Sequence, residues 1–129
     1  MALIKPVITP FNNDIPSGDQ TMSVVTWSGI TTGAICAPVS LAHWSDRSVQ
    51  IDGVFGSGGT VTVNGSNNNV TYYGLNDPSL TPISKTSGGI SQILEITAYV
   101  YPVITSGDSN TLLTVTMLCR RPQNLLQPQ

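Results

Sequence analysis

SVQIDGVFGSGGTVTVNGSNNNVTYY, residues 48–73, contains two runs in which apolar and polar side chains alternate. Residues 48–55 and residues 60–64 each show the period of two that is typical of a half-buried β-strand. Residues 57–59 and 65–69, which follow these runs, consist of glycine, serine and asparagine, and these residue types favour turns. We therefore predict two strands and the start of a third, joined as a β-meander.

The rest of the chain repeats this pattern of short strands and turn clusters. Further strands are predicted over residues 22–27, 35–39, 97–104 and 111–119. Turn clusters at spacings of roughly 8–12 residues predict an all-β fold, an antiparallel β-sandwich of the jelly-roll or immunoglobulin-like type. Trp27 and Trp44 are expected in the core or at its rim, because large aromatic side chains dominate such cores.

Three later segments carry more specific predictions. The apolar residues of 89–95 have the i, i+3, i+4 spacing of one helical turn, but the segment is too short to decide, so we expect a short connection there. Residues 105–110 are predicted to be the loop of the last hairpin. Residues 111–119 carry apolar side chains on both faces, including Leu112 and Leu118, which predicts a central strand that is buried on both sides.

The first 20 residues are predicted to form an extended arm, because their prolines exclude a helix and full pairing as a central strand. The apolar residues of the arm are too numerous for a disordered tail. They are Leu3, Ile4, Val7, Ile8, Phe11 and Ile15. Two interpretations remain open: the arm wraps its own domain as an edge strand, or these side chains bind a neighbouring subunit. Residues 21–122 then form the sandwich domain, and residues 123–129 form a C-terminal tail.

The surface is expected to be poor in charge. Charged residues make up 9% of the chain, against about 25% in typical soluble domains. Many β-proteins use charged edge residues to prevent association. We therefore predict that other protein covers this surface and that the chain forms a homo-oligomer.

Charge and hydropathy argue against several other partners. A net charge of −2 and the single basic pair Arg120-Arg121 disfavour nucleic-acid binding. No run approaches the roughly 18 apolar residues of a membrane span, and the N-terminus lacks the layout of a signal peptide, so we expect synthesis in the cytosol and no membrane contact. In that compartment Cys36 and Cys119 are expected to be reduced core residues rather than a disulfide.

Residues suited to catalysis are scarce. His43 is the one histidine and Glu95 the one glutamate, and nearly all aspartates stand beside turn-forming residues. The spacing indicates neither a nucleophilic triad nor a pair of catalytic carboxylates. The glycine-rich residues 56–59 are predicted to be a hairpin turn rather than a phosphate-binding loop. We therefore expect a protein that is not an enzyme and has no cofactor and no metal site.

Five segments together show a layout that resembles a known family. They are residues 47–56 (RSVQIDGVFG), 60–67 (TVTVNGSN), 75–78 (LNDP), 99–103 (YVYPV) and 113–116 (LTVT), followed by Arg120 and Arg121. Over residues 26–121 the layout resembles small virion proteins of tailed bacteriophages, in particular head decoration or cement proteins. The resemblance implies an oligomer, made in the host cytoplasm, that binds the major capsid protein on the outside of the shell. A shell offers two-fold and three-fold positions, and we prefer a trimer to a dimer.

A second resemblance supports an alternative function. Residues 63–68, VNGSNN, look like the strand-and-turn segment of discoidin-type jelly-roll binding modules. This implies a carbohydrate-binding protein, for example a phage adhesin or a tail-associated module. A sugar platform would require the aromatic side chains to share one exposed face. These are Trp27, Trp44, Tyr72, Tyr73, Tyr99 and Tyr101.

Overall fold

A computed structural model of the chain describes residues 3–10, 22–42 and 44–120. The strands in these ranges pack as two facing sheets, which confirms the predicted all-β antiparallel sandwich. The described residues include no helix that is long and apolar enough to cross a membrane. The strands are β1 (Leu3–Ile4), β2 (Val7–Pro10), β3 (Met22–Ile30), β4 (Ile35–Cys36), β5 (Val39–Ser40), β6 (Asp46–Val54), β7 (Thr60–Ser66), β8 (Tyr73–Gly74), β9 (Ser84–Lys85), β10 (Gly89–Gln92), β11 (Tyr99–Ser106) and β12 (Leu112–Arg120).

Two sheets contain most of the strands. The front sheet has the order β10-β6-β12-β3-β2, with every neighbouring pair antiparallel. The back sheet has the order β5-β11-β7-β8, and β9 also pairs with β7. Outside these sheets, β1 and β4 form a short parallel pair. Because β12 pairs with β6 on one edge and with β3 on the other, it is the central strand of the front sheet, as predicted.

The core lies between the sheets and follows from the alternation along each strand. The inward positions of β3, β6, β7 and β12 carry apolar side chains with almost no exposed surface. They include Val25, Val49, Ile51, Val61, Val63, Leu113, Val115 and Met117. Trp27 is fully buried and its indole Nε1–H donates to the carbonyl oxygen of Ala37 at 2.8 Å, which confirms it as a core residue. Trp44 is half-buried against the same cluster.

The predicted meander of residues 48–73 is wrong at its first turn. β6 belongs to the front sheet and β7 to the back sheet, so the glycine-rich loop between them crosses from one sheet to the other. Just before the crossing, Gly53 of β6 occupies a position that requires glycine, because its φ is +120° and a Cβ there would lie 2.4 Å from the carbonyl oxygen of Leu112. The predicted hairpin turn at residues 56–59 is therefore wrong as well. In this segment, hairpin pairing joins β7 to β8.

The predicted last hairpin at residues 105–110 is also a crossing between sheets, because β11 lies in the back sheet and β12 in the front sheet. Asp108 ties this loop to the β6–β7 loop, since its carboxylate accepts the backbone N–H of Ser57 at 2.8 Å. Thr111 adds a second link by donating its hydroxyl to the carbonyl oxygen of Phe55 at 2.8 Å. The two crossings therefore support each other.

Residues 89–95 contain a strand where the sequence predicted a short connection. β10 lies at the edge of the front sheet and pairs with β6, with Ile90 opposite Gln50 and Gln92 opposite Ser48. Backbone pairing along the available edge of β6 outweighs the irregular side-chain pattern of this segment. The expected connection is thus an edge strand.

The outer side of β12 is open. Leu112 and Leu118 are 53% and 39% exposed, so the prediction that this strand is buried on both faces is wrong for the described residues. β12 is central because it pairs along both edges, and its outward side chains belong to a surface rather than to a second core.

A buried arginine joins two connecting segments of the sandwich. Arg47 is 2% exposed; its Nε donates to the carbonyl oxygen of Trp44 at 2.9 Å, and its Nη2 donates to those of Leu41 at 2.9 Å and Thr97 at 2.5 Å. Burial lowers the pKa of the guanidinium. Cys119 is its partner across the β6–β12 pair.

Cys36 and Cys119 are free, buried thiols, as predicted for reduced core residues. Desolvation by burial raises the pKa of each thiol to about 11. Both are therefore protonated at neutral pH, and the thiolate that would react with an electrophile is scarce.

Candidate binding surfaces

The first candidate surface is formed by the N-terminal strands. β2 is the edge strand of the front sheet and pairs antiparallel with β3, with Val7 opposite Thr26 and Thr9 opposite Val24. The other edge of β2 pairs with no strand within the described ranges. Residues 3–10 thus follow the interpretation in which the arm lies on its own domain, and they leave a strand edge free.

The six predicted partner-binding residues differ in their surroundings. Three are more than half exposed: Leu3 at 59%, Val7 at 62% and Ile8 at 57%. Ile4 is half-buried and packs against the core, while Phe11 and Ile15 lie outside the described residues, as do residues 123–129 of the predicted tail. Ile35 is exposed beside Leu3, its partner in the β1–β4 pair. We call these exposed side chains the apolar edge: Leu3, Val7, Ile8 and Ile35.

The second candidate surface is the outer face of the front sheet, which we call the open face. Residues that are paired across neighbouring strands point to the same side of a sheet, so the register lines up the outward side chains in rows. One row contains Ile90, Gln50, Thr116, Thr26 and Val7. The next row contains Gln92, Ser48, Leu118, Val24 and Thr9. The open face therefore presents hydroxyl, amide and aliphatic groups, and it is continuous with the apolar edge at Val7.

The open face carries little charge. In the described strands its charged side chains are Asp46, Asp52 and Arg120, and Arg120 Nη2 lies 2.7 Å from Asp46 Oδ2. A shallow cavity of about 350 Å³ lies beside this ion pair, and Met22 and Leu118 contribute to its lining. A partner on this face would therefore be bound mainly through shape complementarity and contacts with hydroxyl groups, and electrostatic attraction would contribute little.

The aromatic side chains do not share one exposed face. Trp27 is inside the core and Trp44 packs against it. On the back sheet, Tyr72 and Tyr101 meet edge to face with ring centroids 4.9 Å apart. Tyr73 is 71% exposed, whereas the other tyrosines are half-buried. The described residues therefore do not form the broad sugar platform that the alternative function would require.

The third candidate surface is a cavity of about 450 Å³ at the turn between β7 and β8, which we call the polar pocket. Gly65 and Leu75 line it together with several polar side chains. These are Asn67, Asn68, Thr71, Tyr73, Glu95 and Thr97. The polar pocket thus combines residues of one turn with residues from the connection between β10 and β11.

Hydrogen bonds fix the turn that carries the polar pocket. Ser66 Oγ accepts the backbone N–H groups of Asn68 at 3.1 Å and Asn69 at 3.0 Å. Asn68 Oδ1 in turn accepts those of Val70 at 2.9 Å and Thr71 at 3.0 Å. Asn69 has a φ of +59°, a left-handed conformation that asparagine adopts more readily than most residues. The turn is therefore ordered by its own side chains.

Glu95 is held at the polar pocket by Asn76. Its carboxylate accepts the backbone N–H and the side-chain Nδ2 of Asn76, each at 2.7 Å. Partial desolvation raises the pKa of Glu95, but the two hydrogen bonds outweigh it and leave the pKa below its ordinary value. Glu95 is therefore ionised at neutral pH and offers fixed acceptor oxygens.

The other acidic side chains of the loops also accept structural hydrogen bonds. Asp77 accepts the backbone N–H groups of Ser79 at 2.9 Å and Thr81 at 3.1 Å, and Asp108 ties the crossing loops. Within the described ranges, no group of three or more His, Cys, Asp or Glu side chains is placed to hold a metal ion. His43 lies outside the described residues.

No family model matches this sequence, and no curated protein matches it significantly.

The sequence did not predict the polar pocket. Residues 65–69 were expected to form a turn; residues 67–69 do, whereas Gly65 and Ser66 are the last residues of β7. The hydrogen bonds between Asn76 and Glu95 join positions that no short motif connects. The available signal was the run of three asparagines at residues 67–69, which places three amide side chains at one turn.

Proposed function

We propose that the chain is a structural protein of a tailed-bacteriophage virion that binds the outside of the capsid shell as a decoration or cement protein. It contacts the major capsid protein and stabilises the contacts between capsid subunits. The observation that carries this proposal is the apolar edge. Leu3 is exposed on β1, and Val7 and Ile8 are exposed on β2, the edge strand of the front sheet; within the described ranges the outer edge of β2 pairs with no strand. Such a strand binds a partner by strand addition, in which backbone hydrogen bonds supply affinity and side chains supply specificity.

The open face supports the same proposal because it extends the contact area. It is continuous with the apolar edge at Val7, so a single partner can cover both. A stable protein interface of standard size buries about 1,600 Å² in total. A five-stranded face with few charges and an adjoining apolar strand is suited to such an interface, since charged groups are depleted from interface cores.

The proposal includes self-association, with a trimer on the shell. The support is the low charge of the whole chain, 9% of residues, which leaves β-edges poorly protected against pairing with other copies. A trimer places three apolar edges on neighbouring capsid subunits, so that one oligomer spans several contacts of the shell.

Particles of the phage that encodes the chain test this function. Bare particles, made without the gene, should bind the purified protein and then release their genome at a higher temperature, because a ligand that binds the assembled shell stabilises it. Val7→Asp should bind at least about tenfold more weakly, since the interface would have to desolvate a charge. Mass spectrometry of washed particles counts bound copies, and a dye-release assay gives the release temperature.

Val70→Asp is the matched control. Val70 is 80% exposed and lies in the β7–β8 turn of the back sheet, away from the apolar edge, so the same substitution there should leave binding unchanged. Equal binding by Val7→Asp and the wild-type protein, or equal release temperatures of bare and decorated particles, contradicts the proposal.

A further inference from the structure

The polar pocket presents hydrogen-bond donors whose positions are fixed. Asn67 Oδ1 accepts the backbone N–H of Ala98 at 3.0 Å, and Asn68 Oδ1 accepts the hydroxyl of Ser66 at 2.9 Å. In each amide the oxygen is thus committed to the protein, and the hydrogen-bond network assigns the orientation of the group. Neither Nδ2 donates to another of the described residues, so two NH₂ groups are available to a ligand.

An acceptor and an apolar surface complete the polar pocket. Glu95 is oriented by Asn76, and each of its carboxylate oxygens can accept a further hydrogen bond. Tyr73 lines the same cavity and is mostly exposed, so its ring is open to stacking. The cavity volume of about 450 Å³ falls within the range of about 300–1,000 Å³ that is typical of small-molecule sites.

This combination of groups suits a neutral sugar. The hydroxyl groups of a pyranose both donate and accept hydrogen bonds, and its C–H face packs against an aromatic ring. Among the described residues no lysine or arginine lines the polar pocket, and the Glu95 carboxylate repels anions. We propose that the polar pocket binds a neutral saccharide through Asn67, Asn68 and Glu95, with Tyr73 as the stacking surface. The site lies at the back sheet, so it does not depend on capsid binding through the apolar edge.

Titration of the full-length protein with saccharides tests the site. Glucose, galactose, mannose and N-acetylglucosamine, and disaccharides of each, would be added to isotope-labelled protein while amide resonances are followed by NMR. At least one of these sugars should shift the side-chain NH₂ signals of Asn67 and Asn68 in a saturable manner. Tyr73→Ala should weaken that binding about tenfold or more, which corresponds to the loss of one aromatic contact. Tyr73→Phe, which keeps the ring, should bind within about twofold of wild type on the same grounds.

Val70→Ala is the control variant, because Val70 lies in the same turn but does not line the polar pocket. It should bind as the wild-type protein does, and circular dichroism should show the same melting curve for all three variants. Sialic acid is titrated in the same way as an anionic comparison. Three results would each overturn the inference: no neutral sugar in the panel shifts the pocket resonances, Tyr73→Ala binds with wild-type affinity, or sialic acid binds more tightly than the neutral sugars.

Discussion

Arg47 is enclosed by carbonyl oxygens rather than paired with a carboxylate, which is an unusual position for a cation. Three backbone carbonyls from two connecting segments accept its N–H groups, so the guanidinium donors are satisfied and the side chain links the two segments. The sequence contains a signal for this position, because Arg47 is in phase with Val49 and Ile51, which face the core. Composition alone does not distinguish the buried Arg47 from Arg120. Arg120 lies on the outward face of β12 together with Leu118, and it is exposed.

Replacing the two arginines should therefore have very different effects on stability. Arg47→Leu removes a charged donor from the carbonyls of Leu41, Trp44 and Thr97, and at about 1.5–3 kcal/mol for each hydrogen bond to a charged group it should lower the free energy of unfolding by about 3 kcal/mol or more. Arg120→Leu breaks an exposed ion pair, so it should cost less than about 1 kcal/mol. Urea denaturation of both variants measures the difference. Similar losses of unfolding free energy in the two variants would show that the hydrogen bonds from Arg47 to the carbonyls contribute little to stability.

Most strands can be predicted from the alternation of apolar and polar side chains, but the strands with which they pair cannot. A glycine-rich turn is compatible with a hairpin and with a crossing between sheets. The outcome depends on the edges that remain free: β10 and β12 occupy both edges of β6, so β7 must pair in the other sheet. β10 itself was missed for a related reason. An edge strand is held mainly by backbone pairing, and its side chains need show little periodicity.

Two glycines near the crossing between β6 and β7 should differ in their tolerance of substitution: Gly53, at the end of β6, and Gly58, in the crossing loop. Gly53→Ala combines a positive φ with a Cβ 2.4 Å from the Leu112 carbonyl oxygen, so it should destabilise the fold by about 3 kcal/mol or more. Gly58 also has a positive φ, +71°, but a Cβ there meets nothing within 4 Å, so Gly58→Ala should cost about 1–2 kcal/mol. Thermal and urea unfolding compare the pair. Equal losses of stability in the two variants would mean that the positive φ alone, and not the contact with the Leu112 carbonyl oxygen, determines the destabilisation.

In the whole molecule, the candidate surfaces bring together residues that are far apart in sequence. The composition of the arm predicted a binding surface, and four of its six residues are described, but whether they bind a partner stays a prediction. The polar pocket was not predicted because it requires the β7–β8 turn to meet Glu95, and only the tertiary fold creates this contact. Carboxylates that link distant loops in this way also make stability depend on pH.

Acid should weaken the fold over a defined range. Backbone N–H groups of Ser57 and Asn110 lower the pKa of Asp108, and hydrogen bonds from Asn76 lower that of Glu95 against partial desolvation. A carboxylate with a lowered pKa in the folded state contributes stability that is full above its unfolded pKa of about 4 and is lost as pH falls through the folded pKa. The urea midpoint should therefore be highest above about pH 5 and fall as the pH drops below about 4.

Asp108→Asn provides the corresponding test. The variant should have a lower urea midpoint than wild type at pH 7 and a shallower decrease in acid, because one titrating group is removed while the loops keep their lengths. An acid dependence as steep as that of the wild-type protein would assign the effect to other carboxylates.

The scarcity of charge on the open face also determines how a contact there responds to dissolved ions. Screening weakens attraction between charges, with a Debye length of about 10 Å at 0.1 M ionic strength and about 3 Å at 1 M. Asp46 and Arg120 neutralise each other, and in the described strands Asp52 is the other charged side chain of this face, so a partner held by hydroxyl and aliphatic groups has little electrostatic attraction to lose. The affinity of such a contact should therefore change little between low and high salt concentration.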